Sequence, residues 1–348
     1  MSRAVLKTAL CALLGLCLLP KGLEAQSGKY GAAFLDFGVG ARALAMGGAF
    51  VAPADDGSAF YWNPSGLTGV SAPQLAFMYA SAFGSIVNPL ATYNHLGVSV
   101  PLHGGATIAA NYVRLAVDDI PIFPELRGES FGQRLLDPTL RPDGQPLGYF
   151  SDREEAFVLS FAKMNTLTTS LGWLYTDLSL EIPIGISFRM VRQRLYGFRA
   201  TGFGVDLGSM IRLDVGALFD TPWVGTFSSG LALVDVAGTA MTWNTRHQDR
   251  IAQDLRLGLA YSQPMPWRKS TLLVCWSKKE RPAASHHWGL EYRLPWLALR
   301  LGIDNGKLTA GAGFDFWRLT VDYGFVSGDL GNVHRVSGSL VIGRRGQR

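Results

Sequence analysis

Apolar and polar residues alternate one by one over most of this chain, the spacing that sends successive side chains to opposite faces of a strand. From His286 to Arg293 one phase carries Trp288, Leu290 and Tyr292, and the other His287, Gly289, Glu291 and Arg293. Leu297, Leu299, Leu301 and Ile303 then alternate with Ala298, Arg300, Gly302 and Asp304. Asp304-Asn305-Gly306 comes next, a turn that needs positive φ and closes a hairpin. Beyond it Leu308, Ala310, Ala312, Phe314 and Phe316 oppose Thr309, Gly311, Gly313 and Asp315, and Leu319, Val321, Tyr323 and Phe325 oppose Arg318, Thr320, Asp322 and Gly324. A last strand runs from Val333 to about Ile342.

The same phase recurs upstream in 255–261, 182–190 and 203–213, and more weakly near 72–83, 93–102, 104–117, 155–163, 168–178, 227–237 and 268–277. Helical spacing is scarce. The pattern predicts an all-β chain of about 14 antiparallel strands, within the range of single-chain outer-membrane barrels.

Alternation does not say which face is wet, because a soluble sandwich turns its apolar face inward and a membrane barrel outward. Three features favour a transmembrane barrel over a soluble periplasmic β protein. Aromatic residues cluster near strand ends (Trp173, Tyr175, Tyr261, Trp276, Trp288, Trp296, Trp317), where amphipathic rings suit a bilayer interface. Small residues on the polar phase, Gly202, Gly204, Gly208, Gly311 and Gly313, leave room inside a barrel. The third feature is an export signal. Arg3 and Lys7 precede an apolar stretch, Ala9 to Leu19, too short to span a bilayer, and Ala25 suggests cleavage before Gln26.

Removing residues 1–25 leaves 29 basic against 26 acidic side chains, a net charge of +3 that gives no reason to expect a nucleic-acid partner. Cys11 and Cys17 leave with the signal, so Cys275 stands alone and no internal disulfide forms. No run of 18 apolar residues occurs after the signal, so spanning falls to strands rather than helices.

From about 117 to 150 the alternation gives way to Pro, Gly and charge, including Asp118, Asp119, Pro121, Pro124, Pro138, Pro142 and Asp143. A loop of that length is expected to be functional or disordered, and with a periplasmic N-terminus and the third strand running outward it lies outside the cell, a candidate partner-binding loop. Asp118, Asp119, Asp152, Glu154 and Glu155 flank it. They could hold calcium, but they lack a recognised ligand spacing and read more simply as solvated charge, so no metal is expected.

Residues 26–71 precede the first clear strand and are dominated by small side chains that can pack closely within a lumen. Gly40-Ala41-Arg42-Ala43, Met46-Gly47-Gly48-Ala49, Asp55-Asp56, Ser58-Ala59 and Trp62-Asn63-Pro64-Ser65-Gly66-Leu67 resemble the N-terminal signature of FadL-like barrels. Val117-Asp118-Asp119-Ile120-Pro121 and Gly148-Tyr149-Phe150-Ser151-Asp152-Arg153-Glu154-Glu155 resemble the PorV/PorQ branch. The resemblance implies a 14-stranded barrel (72–348) with 26–71 as a plug inside it. It also implies outer-membrane lipid around the barrel, and type IX secretion components and cargo C-terminal domains as partners. The wider superfamily implies an alternative, passage of hydrophobic small molecules such as fatty acids. The chain departs from the usual barrel pattern at its end, Ile342-Gly343-Arg344-Arg345-Gly346-Gln347-Arg348, which lacks a terminal aromatic, so an assembly signal is expected to be weak or internal.

Gly38-Val39-Gly40-Ala41-Arg42-Ala43 also fits the dinucleotide fingerprint, but that fingerprint needs a preceding strand and a parallel βαβ unit, which this antiparallel pattern does not offer. His286 and His287 are adjacent on a strand and face opposite ways, so they cannot share an ion. With no Cys-x-x-Cys, His-Glu-x-x-His or Gly-x-Ser-x-Gly, the sequence gives no ground for an enzyme or a cofactor.

Overall fold

A sheet in hydrocarbon must leave no edge unpaired, and only closure achieves that. The computed structural model of the protein describes residues 32–84, 89–128, 130–137, 140, 144–171, 176–221, 223–265, 268–328 and 332–342. The signal segment, Trp173, Tyr175, Pro138, Pro142, Asp143 and the tail from Gly343 lie outside them.

The strands are β1 (Gln74–Gly84), β2 (Pro89–Leu102), β3 (Ala106–Ile122), β4 (Gly148–Lys163), β5 (Thr166–Leu171), β6 (Thr176–Glu181), β7 (Ile184–Leu195), β8 (Phe198–Asp214) and β9 (Thr226–Val234). After them come β10 (Thr239–Trp243), β11 (Gln248–Ile251), β12 (Asp254–Met265), β13 (Ser270–Lys279), β14 (Ser285–Arg293), β15 (Leu297–Asp304), β16 (Lys307–Phe316), β17 (Leu319–Val326) and β18 (Val333–Val341). The wall runs β1-β2-β3-β4-β7-β8-β9-β12 and on in sequence to β18, each strand antiparallel to the next. β18 pairs back onto β1 from Gln74↔Val341 to Ser81↔His334. Among the described residues this is a closed antiparallel barrel of fourteen strands.

The remaining four strands form two hairpins at the rims. β5–β6 meets β8 at Leu180↔Leu213 near the end that carries Gln74 and Val341, here the proximal end. At the opposite, distal end β10–β11 pairs with β8 at Met241↔Gly202. The single strand expected over 168–178 is therefore two hairpin arms, and the short β10–β11 pair falls within a stretch where alternation is too brief to read.

The expected loop also shortens. β3 continues to Ile122 through a bulge between Val117 and Ile120, where Asp119 takes φ 58°, and β4 begins at Gly148. The extra residue that a bulge admits lets pairing resume beyond the acidic pair, so Pro121 sits opposite Tyr149. Asp118, Asp119 and Pro121 thus lie in β3, Asp152 and Glu154 in β4, and only Pro124 in the connection, which holds the short helix Phe131–Leu136.

The two faces divide as in a membrane barrel. Leu159, Phe188, Phe203 and Leu301 are 57–72% exposed on the outside, whereas their strand neighbours Ser160, Ser187, Arg189 and Arg300 are buried inside. Trp276 and Trp288 pair with ring centroids 6.4 Å apart towards the distal side, and Trp296 and Trp317 sit exposed at proximal turns. Two aromatic levels bracketing an apolar band are what interface anchoring requires.

Candidate functional site

The barrel interior is occupied by residues 32–73, and the inward faces of the strands explain how they fit. Seen along the wall, Gly185, Gly208, Gly230, Gly258, Gly289, Gly302, Gly311 and Gly324 each bring bare backbone against this segment. A Cβ at Gly230 would lie 2.6 Å from the Val51 carbonyl oxygen, at Gly289 2.7 Å from that of Met46, and at Gly324 2.8 Å from that of Ala41. Of the glycines singled out from the sequence, Gly208 and Gly311 belong to this track. Gly202 and Gly204 face β10 and Asp235, and Gly313 gives room to Asp322 and Arg300.

The segment consists of short turns because its composition supports nothing longer. The helix Ala41–Ala45 ends where Gly47 enters the left-handed region at φ 66°. There Gly48 N–H reaches the Ala43 carbonyl at 2.9 Å and Gly47 N–H that of Leu44 at 3.0 Å, the Schellman pattern of a glycine-capped helix. Gly38 and Gly40 also adopt positive φ, Gly40 against Ser58. They lead into this five-residue helix with no strand before it among the described residues, so the fingerprint match is a packing device. Asp56 accepts from Ser58 N at 2.8 Å and Ser58 Oγ at 2.6 Å. Asn63 donates to the carbonyls of Val51 (3.0 Å) and Ser209 (3.1 Å) and accepts from Ser65, which uses its whole amide and ties the segment to β8. Pro64 opens the 3₁₀ turn Pro64–Gly69, and Gly66 lies hard against Ala54.

Arg42 is the proximal tether. Its guanidinium forks onto Glu291 of β14 at 3.0 and 3.1 Å, and it also donates to Asp55 and, at 3.3 Å, to Asp56. Glu291 in turn accepts from Arg300 at 2.6 Å, and Arg300 reaches Asp322 at 2.7 Å. Burial works against the Arg42 cation, yet Asp55, Glu291 and Asp56 hold its pKa well above the ordinary arginine value. The structure thus gathers Arg42, Asp55 and Asp56 at one place, with wall partners that the sequence pattern marks only as polar-phase residues.

A second ionic cluster lies distally. Arg189 pairs with Asp206 at 2.6 Å and Asp235 at 3.1 Å; Arg281 pairs with Asp235 at 2.7 Å and with Asp36 of the segment at 3.2 Å. Burial raises the Asp235 carboxyl, but Arg189 and Arg281 beside it outweigh that and hold it below the usual range. Arg281 is opposed by burial and raised by Asp36 and Asp235. Tyr61 donates to the Leu35 carbonyl, and its hydroxyl is pushed up, chiefly by burial. His287 faces inward onto the Gly47 carbonyl at 2.8 Å, while His286 stacks outward on Trp276.

Beside the distal cluster lies a cavity of about 20 Å³, lined by Leu35, Phe60, Tyr93, Val113, Val158 and Val234 together with the charged Arg189, Asp206 and Arg256. That is room for about one water. The Tyr93 hydroxyl and Arg189 Nε are buried there without a hydrogen-bond partner among the described residues. The 3₁₀ turn Ala33–Asp36 supplies Leu35 to its lining, anchored by the Asp36–Arg281 pair.

The carboxylates flanking the 123–147 connection do not converge. Glu154 points inward and accepts from Gln193 at 2.6 Å, Glu155 points outward and accepts from Tyr112 at 2.7 Å, and Asp118 stands 3.9 Å from Arg153. Adjacent strand residues point to opposite faces and cannot share an ion, and no group of three potential ligands occurs among the described residues. Cys275 is a buried inward residue against Gly289.

No protein-family model matches the chain, and a search of curated proteins returns no match. Among solved structures, the Pseudomonas putida toluene transporter TodX aligns at 11% identity over 87% of this chain and 96% of its own, with a TM-score of 0.47. The Ralstonia pickettii toluene transporter TbuX aligns at 11% identity over 87% and 97%, with a TM-score of 0.45. CdiB from Acinetobacter baumannii aligns at 8% identity over 78% of this chain and 60% of its own, with a TM-score of 0.37. At these scores the likeness is one of barrel architecture and carries no argument about activity.

Proposed function

We propose that this is an outer-membrane barrel that admits hydrophobic small molecules, with residues 32–73 as its plug and the turn Ala33–Asp36 as the gate. A barrel of even strand number whose first strand begins and last strand ends at the proximal rim, at Gln74 and Val341, puts that rim in the periplasm and the distal end outside. The carrying observation is the cavity beneath Leu35. Its walls are mainly apolar, Arg189, Asp206 and Arg256 form the charged part of its lining, and the Tyr93 hydroxyl and Arg189 Nε there have no partner among the described residues, a lining that suits a long apolar molecule with one polar end, as in a fatty acid. Its present size admits no such molecule, so binding requires the turn 33–36 to lift from Arg281.

A second reading has its own support. Phe123, Leu126, Leu135, Leu136 and Leu147 of the distal connection are more than half exposed, an apolar surface suited to a protein partner such as cargo domains of type IX secretion. The lumen, filled and crossed by ion pairs, fits a binding platform as well as a closed gate.

Affinity purification from gently solubilised outer membranes, with proteins and lipids identified together by mass spectrometry, separates the two. Near-stoichiometric fatty acid or similar lipid without secretion proteins supports passage of small molecules. Recovery of secretion components or cargo domains without such a ligand supports the platform and overturns the first reading.

A further inference from the structure

The outward faces of β3, β4, β7 and β8 change character abruptly near the distal end. Their register places Ile108, Phe161, Ile186 and Leu207 in one lateral row, then Ala110, Leu159, Phe188 and Val205, then Tyr112, Phe157, Met190 and Phe203. Next comes Arg114, Glu155, Arg192 and Thr201, and above it Ala116, Arg153, Arg194 and Arg199. Three apolar rows are thus capped by two rows holding five arginines.

In the top row Arg153, Arg194 and Arg199 are directly opposed cross-strand neighbours, an arrangement of like charges that destabilises a sheet unless something neutralises it. The chain supplies little. Asp118 lies 3.9 Å from Arg153, Glu155 is engaged by the Tyr112 hydroxyl, and Arg194 and Arg199 have no acidic partner among the described residues. Arg192 lies over the Phe157 ring, 5.6 Å from its centroid, and Arg114 Nε is buried without a partner among the described residues. An open depression of about 500 Å³ between Arg153, Arg194, Tyr196 and Arg199 adjoins the row.

We propose that this face is a binding site for a phosphate-bearing lipid of the outer leaflet, with the lipid's phosphates on Arg153, Arg194 and Arg199 and its acyl chains along the apolar rows below. Guanidinium forks match phosphate oxygens, and their height just beyond the apolar band is the height of a headgroup. A free anion would gain nothing from the aromatic and aliphatic rows; a lipid engages both. The inference rests on the distal end facing outward and is independent of what passes through the lumen.

The test is native mass spectrometry of the full-length barrel in neutral detergent with lipid A, dephosphorylated lipid A or inorganic phosphate added. The expected result is retention of lipid A that weakens about tenfold or more in the Arg153→Gln/Arg194→Gln/Arg199→Gln variant, is absent with the dephosphorylated form, and resists millimolar phosphate. Lys278→Gln, on the outward face of β13, serves as a charge control and retains the lipid. Equal retention of both lipid forms by the unaltered protein, or displacement by millimolar phosphate, overturns the proposal without any variant being needed. Neither result bears on whether fatty acid co-purifies, so the failure of this site and of the passage reading remain distinguishable.

Discussion

Arg42 ties the N-terminal segment to the wall through a buried contact, its side chain only 12% exposed and facing a Glu291 that is 3% exposed. Removing Arg42 does not strand Glu291, which keeps Arg300 at 2.6 Å and Arg293 at 3.2 Å, so the cost falls below the roughly 3–5 kcal/mol of breaking an isolated buried pair. Arg42→Ala is therefore expected to loosen residues 38–58, read as new protease cleavage within them while the barrel keeps its folded electrophoretic mobility. Glu291→Gln, which retains one acceptor and the shape, is expected to loosen them less. The distal cluster gives a pH dependence. Asp235 has a folded pKa below its unfolded value of about 3.9. Its contribution is fully present above about pH 4 and is lost as pH falls through the lower folded value. Protease protection of residues 32–38 should hold from pH 7 to 4 and fall below it, and Asp235→Asn should lower protection at pH 7 and flatten that fall.

At the scale of elements, the glycine track decides whether the plug can seat. Gly258→Val sets a branched side chain where a Cβ alone would lie 2.8 Å from the Ala52 nitrogen, while Gly148→Ala meets nothing within 4 Å. The first is expected to expel the plug from an intact barrel and the second to leave both unchanged; hydrogen exchange of residues 41–52 reads the difference. The strands themselves were legible in the sequence wherever one phase was apolar for eight or more residues, as in β14 to β17. The turns of the N-terminal segment were legible as motif residues, Gly47-Gly48 and Asn63-Pro64. Their wall partners were not. Glu291, Arg300 and Asp322 fall on the right phase, but nothing in a linear pattern says that Arg42, some 249 positions from Glu291, meets it. The β3 bulge escaped for a similar reason: two acids and a proline read locally as loop, and only pairing with β4 makes them strand.

The whole molecule is inside-out relative to a soluble sheet, and that is open to a direct energetic test. Leu301 is 60% exposed, so in water Leu301→Arg would cost little. In a bilayer the same substitution near the midplane costs about 2–4 kcal/mol. A loss of that size in lipid vesicles is expected; no loss would argue for a soluble protein. On the proposed reading, passage depends on the turn Ala33–Asp36 moving from Arg281, where Asp36 and Arg281 approach to 3.2 Å. Asp36→Cys/Arg281→Cys, joined through two disulfides by a bis-methanethiosulfonate spacer that replaces the lost reach of the arginine side chain, gives a reversible lock, with the native Cys275 buried elsewhere in the wall. The most direct measurement is uptake of a radiolabelled long-chain fatty acid by intact cells that carry this double variant in place of the native chain. The account predicts uptake at the level of a deletion strain when the pair is cross-linked, and restoration on reduction. Uptake by the cross-linked form equal to that of the unaltered protein would contradict a gate at this turn.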